Sequence, residues 1–433
     1  MRDIALSLFI FGLLPFILNR PWLGVLMSLW VSVMSPHRYA FGFAYDFPFA
    51  AIIAAVTVLS MLKSRDKVHF PVNATIVLLI LFPLWMCVTS VFALESWGVY
   101  DRWKYVMKVF FLILVAASVI QSRKHIEWMI AVIVFSVGFY GFKGGIFTIL
   151  TGGGARVYGP PGDGFMSDNN AISVALVMTI PLMYFLRSVV SSKLLKILLL
   201  ATMGLSAMAI LGSQSRGAFL AVLAMVSFLW LKGKQKFFVG AVLIILLPMA
   251  IGFMPDSWTA RMRTIETYEQ DSSAMGRINA WTMAFNLAND RPLVGGGFEI
   301  YTPKVFAKYA PDPIDVRAAH SIYFQILGEH GYVGLALFIA IGVVAWSTAN
   351  RIIKLSGKKA DDAWAANLAR SIQVSLIGYA VGGAFVNIAY WEIQYFEIVA
   401  LMAAYGLLKQ RRPGPDIQSS NFESNPARKS LPV

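Results

Sequence analysis

Arginine and lysine side chains at the ends of apolar runs are the first candidates for chemistry in this sequence. Arg216 stands in a short polar turn, 213–217, and Arg277 begins a four-residue repeat with Trp281 and Phe285 that predicts a polar–aromatic helix face. A cation in an apolar setting needs either a carboxylate partner or a bound anion. The guanidinium group donates two parallel hydrogen bonds and therefore suits phosphate. The candidate anion-binding residues are Arg216, Arg277, Arg263, Arg156 and Lys108.

His320 is the candidate for acid–base chemistry. It is one of five histidines and lies where the polar segment 255–321 meets an apolar run. Imidazole titrates near neutrality and can take a proton from a sugar hydroxyl. A helix cap or an interfacial side chain is the alternative role. Ser215, beside Arg216, is a supporting candidate because short polar turns offer donors that an anion can share.

The composition predicts that these residues are carried by membrane-spanning helices. The chain has 433 residues, of which 58% are hydrophobic and 14% charged, and its mean hydropathy is +0.65. A soluble protein of this length carries roughly a quarter charged residues. Apolar runs of about 17–25 residues can cross a bilayer, and their lack of alternation favours helices over a barrel. We therefore expect an all-α integral membrane protein.

Basic loops orient these spans. Lysine and arginine recur in alternate loops, which the positive-inside rule places in the cytoplasm. About twelve spans then alternate, with 4–34 counted as one kinked crossing and a hairpin as the alternative. The single cysteine, Cys87, falls inside a span. The predicted units are a transmembrane bundle at 1–254, a periplasmic loop with short helices at 255–321, transmembrane helices at 322–410 and a disordered cytoplasmic tail at 411–433.

A spaced pattern around His320 resembles a known family. His320-Ser321 is followed by nine residues, Gly331, two residues and Gly334. This resembles the signature of the O-antigen ligase and polymerase superfamily, although many members have Asn where this chain has Ser321. The resemblance extends over roughly 40–410, and it includes the Ser215-Arg216-Gly217 turn, Gly276-Arg277, Trp281, Ala284, Pro292, Gly295, Gly297, Gly159-Pro160 and Asp168-Asn169-Asn170.

The resemblance implies a GT-C-type helical fold and a glycosyltransferase. Its donor is a glycan linked to undecaprenyl diphosphate, and its acceptor is lipid A-core at the periplasmic face of a bacterial inner membrane. His320 would be the catalytic base of an inverting displacement, and the candidate cations would bind the diphosphate. Asn169 and Asn170 join Ser215 as supporting residues. We expect membrane lipids as surroundings, and no cofactor, metal or nucleic acid.

Three alternatives remain open at this point. An O-antigen polymerase shares the donor but uses a growing glycan as acceptor, and a protein O-oligosaccharyltransferase uses a protein. A polyprenyl-glycan transporter is the candidate from another class, because Lys108, Lys143 and the Gly382-Gly383 pair would suit a path through the membrane.

Overall fold

The regular elements that the structure describes are helices. The structure is a computed structural model that describes residues 1–63, 70–162, 164–232, 248, 251–263, 269, 271–357 and 359–411. Fifteen α-helices lie in these ranges, with short 3-10 turns between some of them. The helices are α1 Arg2–Ile17, α2 Pro21–Met34, α3 Phe49–Lys63, α4 Ala74–Val91, α5 Val99–Val119, α6 Arg123–Leu150, α7 Asn169–Val189, α8 Lys193–Gly212, α9 Arg216–Lys232, α10 Asp256–Arg263, α11 Ser272–Asp290, α12 Pro303–Tyr309, α13 Ile322–Ser356, α14 Ala363–Gly382 and α15 Glu392–Gln410.

The predicted membrane architecture is confirmed at the level of helices. Within the described ranges, five helices are long and apolar enough to cross a membrane: α4, α6, α7, α8 and α13. The expected span at 237–254 lies mostly outside these ranges, and so does the tail from 412. The number of spans, expected to be about twelve, stays a prediction.

The expectation of one crossing over 4–34 is wrong, because α1 and α2 form a hairpin. The rings of Phe9 and Trp30 are 5.5 Å apart, whereas a continuous helix rising 1.5 Å per residue would separate them by about 30 Å. The chain turns back at Pro21, which begins α2 and lacks the N–H that a continued helix requires. The Asp3 carboxylate consequently accepts hydrogen bonds from the backbone of Gly42 and Ala44.

The loops predicted to share one side of the membrane converge at one end of the bundle. Leu94 N–H donates to the Gly296 carbonyl at 2.8 Å, and Val157 N–H donates to the Gly212 carbonyl at 3.1 Å. We give the name motif face to this end, which is formed by residues 35–46, 93–98, 151–162, 164–168, 213–215, 255–263 and 271–321. At the other end Arg123 lies over the Trp364 ring at 5.1 Å. The loops therefore alternate as the charge pattern predicts.

Glycine positions allow close helix packing inside the bundle. The window of α7 that could span a membrane is 72% buried. At Gly145 of α6, a Cβ atom would lie 2.2 Å from the Leu205 carbonyl oxygen of α8. Small residues let membrane helices approach closely, because their association depends on van der Waals contact.

A kink in α13 shapes the motif face. Gly331 has φ +67° and ψ −170° inside this helix. The kink frees backbone carbonyl groups just before Gly331, and these accept hydrogen bonds from the turn that follows α11. Gly296 N–H donates to the Gly328 carbonyl and Gly297 N–H to the Glu329 carbonyl, both at 2.8 Å. The turn after α11 is tight, with Gly295 and Gly297 at positive φ. The glycines of the sequence pattern thus fix α11 against α13.

Candidate functional site

The turn before α9 is held by the three predicted supporting residues. Asn169 Nδ2 donates to the Ser213 carbonyl at 2.8 Å, and Ser215 Oγ donates to Asn170 Oδ1 at 2.9 Å. Gln214 has φ +55°, a left-handed conformation that is uncommon outside glycine. The start of α7 therefore fixes the position from which Arg216 projects.

Arg216 is paired with a carboxylate. Its Nη1 donates to Asp271 Oδ2 at 2.6 Å and its Nη2 to Asp271 Oδ1 at 3.4 Å, so the contact is a two-pronged fork. Asp271 also caps α11, since its Oδ1 accepts from Ala274 N–H at 2.9 Å. The ion pair aligns the first turns of α9 and α11 and brings Arg216 to the helix that carries Arg277.

Arg277 lies beside this ion pair and retains unsatisfied donor capacity. Its side chain is half-buried, and its buried Nε has no hydrogen-bond partner among the described residues. Burial lowers the pKa of Arg277, and the charge of Arg216 lowers it further, while Asp271 and Asp168 raise it. Arg277 is thus a cation held close to another cation, which is the setting in which an added anion gains most.

Arg156 and Arg261 contact the same turn from two other segments. Arg156 Nε donates to Gln214 Oε1 at 3.2 Å, and Arg261 Nε donates to the Gln214 carbonyl at 3.0 Å. Burial lowers the pKa of Arg261, as do the neighbouring charges of Arg156 and Arg216. We call Arg156, Arg216, Arg261 and Arg277 the guanidinium cluster. Its nearby carboxylates are Asp168 and Asp271.

Two predicted anion-binding residues are not drawn into the guanidinium cluster. Arg263 and Lys108 are exposed, and neither makes a hydrogen bond or ion pair within the part of the chain described. Arg261, which the sequence analysis did not select, lies in the site instead. It is three residues after Trp258, whose Nε1 donates to the Leu211 carbonyl at 3.0 Å. Residues three apart share a helix face, so Trp258 was the available signal.

His320 stands next to the guanidinium cluster in a strained backbone conformation. Its φ is +46°, which for a residue other than glycine costs roughly 1–3 kcal/mol and needs support from its surroundings. Trp281 Nε1 donates to the Ala319 carbonyl at 2.6 Å, and Ser321 N–H donates to Asn387 Oδ1 at 3.1 Å. Contacts on both sides therefore fix the backbone from which the imidazole projects.

The electrostatic surroundings of His320 favour its neutral form. Burial lowers the pKa of His320 below its usual 6.5, and the charges of Arg277 and Arg317 lower it further, while Asp168 raises it. A neutral imidazole can accept a proton at physiological pH. The predicted base and the predicted arginines Arg216 and Arg277 are thus neighbours, although they come from separate segments.

Comparison with known proteins identifies the segment that carries most of this site. Residues 198–339 match the model of the O-antigen ligase family, Wzy_C. We use the name O-antigen ligase domain for residues 198–339, after the family that they match. Residues 1–191 match a family of unknown function, DUF5935, and no curated protein matches the chain. The predicted resemblance to the O-antigen ligase superfamily is confirmed.

The O-antigen ligase domain does not supply the whole site. It contains Arg216, Arg261, Arg277 and His320, whereas Arg156 and the residues 168–170 belong to the other matched segment. Among the described residues, no three His, Cys, Asp or Glu side chains are grouped as metal ligands would be. The positive charges that could bind an anion at this site are the guanidinium groups of the cluster.

A buried polar network lies beneath the motif face and was not foreseen from the sequence. His330 Nδ1 is 2.7 Å from Thr89 Oγ1, and His330 Nε2 is 2.8 Å from Tyr390 Oη. Tyr390 also donates to Glu329. His330, Tyr390 and Glu329 are each at most 3% exposed. Arg102 lies over the Tyr390 ring at 5.8 Å. Because Gly331 interrupts α13, the His330 carbonyl is free to accept from Trp85 Nε1 at 3.0 Å.

Proposed function

We propose that this chain is a glycosyltransferase that ligates a polysaccharide, carried on undecaprenyl diphosphate, to the lipid A-core oligosaccharide. It would act at the periplasmic face of a bacterial inner membrane, toward which the motif face would be turned. The O-antigen ligase domain supports the proposal. The observation that carries it is the guanidinium cluster beside His320, because a diphosphate leaving group and a hydroxyl nucleophile require a cation cradle and a base side by side.

The guanidinium cluster is suited to the donor's diphosphate. Arg216 and Arg277 would bind the phosphates, with Arg261 and Arg156 as further contacts. Negative charge on the diphosphate grows as the bond between the anomeric carbon and the phosphate oxygen breaks, and fixed cations stabilise that charge without reorganisation. Asp271 holds Arg216 at 2.6 Å, so the cluster is assembled before the donor arrives.

His320 would receive the proton of the acceptor hydroxyl. The hydroxyl oxygen attacks the anomeric carbon, the carbon–oxygen bond to the diphosphate breaks, and undecaprenyl diphosphate leaves with the electron pair. One displacement of this kind inverts the anomeric centre. Asp168, whose charge raises the pKa of His320, would stabilise the imidazolium that forms.

An apolar groove next to His320 is suited to the polyprenyl tail. Its volume is about 300 Å³, and it extends along α13 from Ile322 to Trp346, with α14 and α15 forming the other wall. Ile339 and Val343, which line it, are 47% and 59% exposed. Burying isoprenoid carbons here would add hydrophobic free energy to donor binding.

A transfer assay with purified protein and lipid-linked glycan, in the presence of chelator, tests the proposal. Arg216→Ala and Arg277→Ala should each slow transfer about 10²–10³-fold, the effect that removal of one hydrogen-bond donor to a developing negative charge has elsewhere. His320→Ala should lose the base. Full activity of His320→Ala would remove the assigned role of the imidazole, and loss of all transfer in chelator would contradict the metal-independent reaction.

The acceptor is tested in a strain that lacks the protein. Unligated long polymer on the carrier is the result expected for a ligase. Single unligated repeats would identify a polymerase, and intact lipopolysaccharide with a bare glycoprotein would identify a protein O-oligosaccharyltransferase. Transfer by purified protein in detergent, where there are no compartments, would exclude a transporter.

A further inference from the structure

A cavity with both polar and apolar walls lies on the motif face, apart from the guanidinium cluster. Its volume is about 230 Å³. Its walls come from the end of α2 and the turn after it, the starts of α3, α5 and α15, and residues 160, 161 and 164–166. Ligand sites for drug-sized molecules measure roughly 300–1,000 Å³. This cavity is therefore of a size for one ring or a similarly small group.

A carboxylate with one unsatisfied oxygen lines this cavity. Glu392 is 3% exposed. Its Oε1 accepts from Ser32 Oγ at 2.5 Å, whereas its buried Oε2 has no donor among the described residues. Buried polar atoms are nearly always hydrogen-bonded, so an unsatisfied carboxylate oxygen calls for an explanation. A ligand hydroxyl that donates to Oε2 would supply it.

Several other side chains that line the cavity are of types that recognise sugars. His37 has an unpartnered buried Nδ1, and burial and the charge of Arg38 lower its pKa, which keeps the imidazole neutral. Tyr105, Phe165 and Trp391 contribute aromatic rings. Amphipathic rings with a carboxylate and a neutral imidazole match a sugar, which presents apolar C–H faces and a rim of hydroxyls.

One segment connects this cavity to the guanidinium cluster. Residues 160, 161 and 164–166 line the cavity, and a few residues later Asp168 influences the pKa of both Arg277 and His320. Arg102 lies 5.3 Å from the Phe165 ring and 5.8 Å from the Tyr390 ring, so it links the cavity wall to the buried network around His330. A glycan chain bound at the cluster could therefore extend into the cavity.

We propose that the cavity formed by Glu392, His37, Tyr105 and Trp391 binds one sugar ring of a glycan substrate, with vicinal hydroxyls donating to Glu392 Oε2. The inference rests on the proposed glycan transfer for its biological meaning. The ring would belong to the donor or to the acceptor glycan, which share the recognised chemistry.

The test uses the full chain in lipid nanodiscs and a panel of methyl glycosides, measured by saturation-transfer difference NMR. Wild-type protein should bind at least one glycoside, and Glu392→Gln should weaken its affinity about tenfold or more, because an amide replaces the carboxyl group that accepts from the sugar hydroxyl. Glu397→Gln is the matched control. Glu397 is a buried carboxylate of the same helix that accepts from Ser375 at 2.6 Å and does not line the cavity.

The outcomes are separable from those of the transfer proposal, because the glycosides contain no diphosphate. Arg216→Ala should retain glycoside binding while losing transfer. His37→Gln provides a second cavity variant, and thermal unfolding verifies that each variant is folded. Glycoside binding that is absent in wild-type protein, or that falls equally in Glu392→Gln and Glu397→Gln, would overturn the inference. In kinetic assays, the substrate whose KM rises in Glu392→Gln is the source of the ring.

Discussion

At the scale of single residues, the guanidinium cluster is held together by carboxylates that also shape the backbone. Asp271 pairs with Arg216 and caps α11, and Asp168 caps α7 through the N–H groups of Asn170 and Ala171. These carboxylates offset part of the repulsion among the arginines. The guanidinium groups still outnumber the nearby carboxylates, so the cluster has a net positive charge that favours an anionic ligand.

The fork geometry of Arg277 should matter beyond its charge. Arg277→Lys keeps the positive charge but loses the planar pair of donors, so we expect transfer to slow about tenfold. The measurement is the initial rate with lipid-linked donor. Arg370→Lys, an exposed change at the opposite end of the bundle, should leave the rate unchanged, and an equal loss in both variants would indicate a general charge effect.

The pH dependence of transfer should report the environment of His320. Because burial and Arg277 lower the pKa of His320, the imidazole stays neutral down to a pH below its usual 6.5. Activity should therefore fall as pH decreases through the lowered pKa, on the acid side of 6.5. Arg317→Gln removes one charge that lowers this pKa and should move the acid limb toward higher pH. If the acid limb of the pH profile does not move, the fall in activity is not due to protonation of His320.

The kind of chemistry at this site was easier to predict from the sequence than the set of residues that form it. His320, Arg216 and Arg277 could be found because a spaced pattern surrounds them. Arg263 was chosen over Arg261 because the register of an eight-residue helix, α10, cannot be read from its charges alone. Asp271 was missed because its partner Arg216 is distant in sequence.

At the scale of elements, the kink of α13 explains why the sequence pattern contains a glycine at 331. A Cβ atom there would lie 2.4 Å from the Leu293 carbonyl oxygen and 2.7 Å from that of Pro292. Both are backbone atoms in a turn fixed by the Tyr332 N–H bond to Pro292. The glycine is therefore required by packing, and its role in the site is to position α11.

Gly331→Ala should destabilise the protein by about 1–3 kcal/mol, because its φ of +67° is strained for any residue with a Cβ atom. Thermal unfolding followed by tryptophan fluorescence measures the effect. Gly342→Ala is the control on the same helix, since its Cβ would meet nothing within 4 Å, and it should be neutral or slightly stabilising. Similar melting temperatures for both variants would contradict the account of the kink.

The buried network around His330 should be a second determinant of stability. Tyr390→Phe removes the hydroxyl shared by His330 and Glu329, so two buried groups lose a partner at a cost of about 1–3 kcal/mol. The change is measured by denaturation of the purified protein. Tyr332→Phe, which removes an exposed hydrogen bond to Asn289, should have a much smaller effect, and the reverse order would exclude a structural role for the network.

The elements themselves were predictable only in part. Long apolar runs gave α4, α6, α7, α8 and α13, because hydropathy detects helices that must satisfy their backbone internally. The α1–α2 hairpin was assigned wrongly, because a break at Pro21 is compatible with a kink or a reversal. Contact between Phe9 and Trp30 decides between them, and such contacts depend on tertiary packing.

At the scale of the whole molecule, the candidate site is assembled from segments far apart in the chain. Both matched segments contribute: Arg156 and Asp168 precede the O-antigen ligase domain. The charge pattern predicted that their loops share one side of the membrane. It could not predict the cavity beside Glu392, because residues as far apart in the chain as Val31 and Glu392 form its walls.

Cysteine labelling in intact spheroplasts tests the orientation of the motif face. With the single native cysteine removed as Cys87→Ala, a membrane-impermeant maleimide should label Asp312→Cys in the intact cell. Lys359→Cys, exposed near the opposite end, should react only after lysis, since basic loops stay in the cytoplasm. The reverse pattern would turn the motif face toward the cytoplasm.

The most direct test is an experimental density map of the full chain bound to undecaprenyl diphosphate in nanodiscs. The account predicts diphosphate density in contact with Arg216 and Arg277, next to the His320 imidazole, with the isoprenoid tail in the groove along α13. Diphosphate density elsewhere on the protein, with the guanidinium cluster contacting only Asp168 and Asp271, would contradict it.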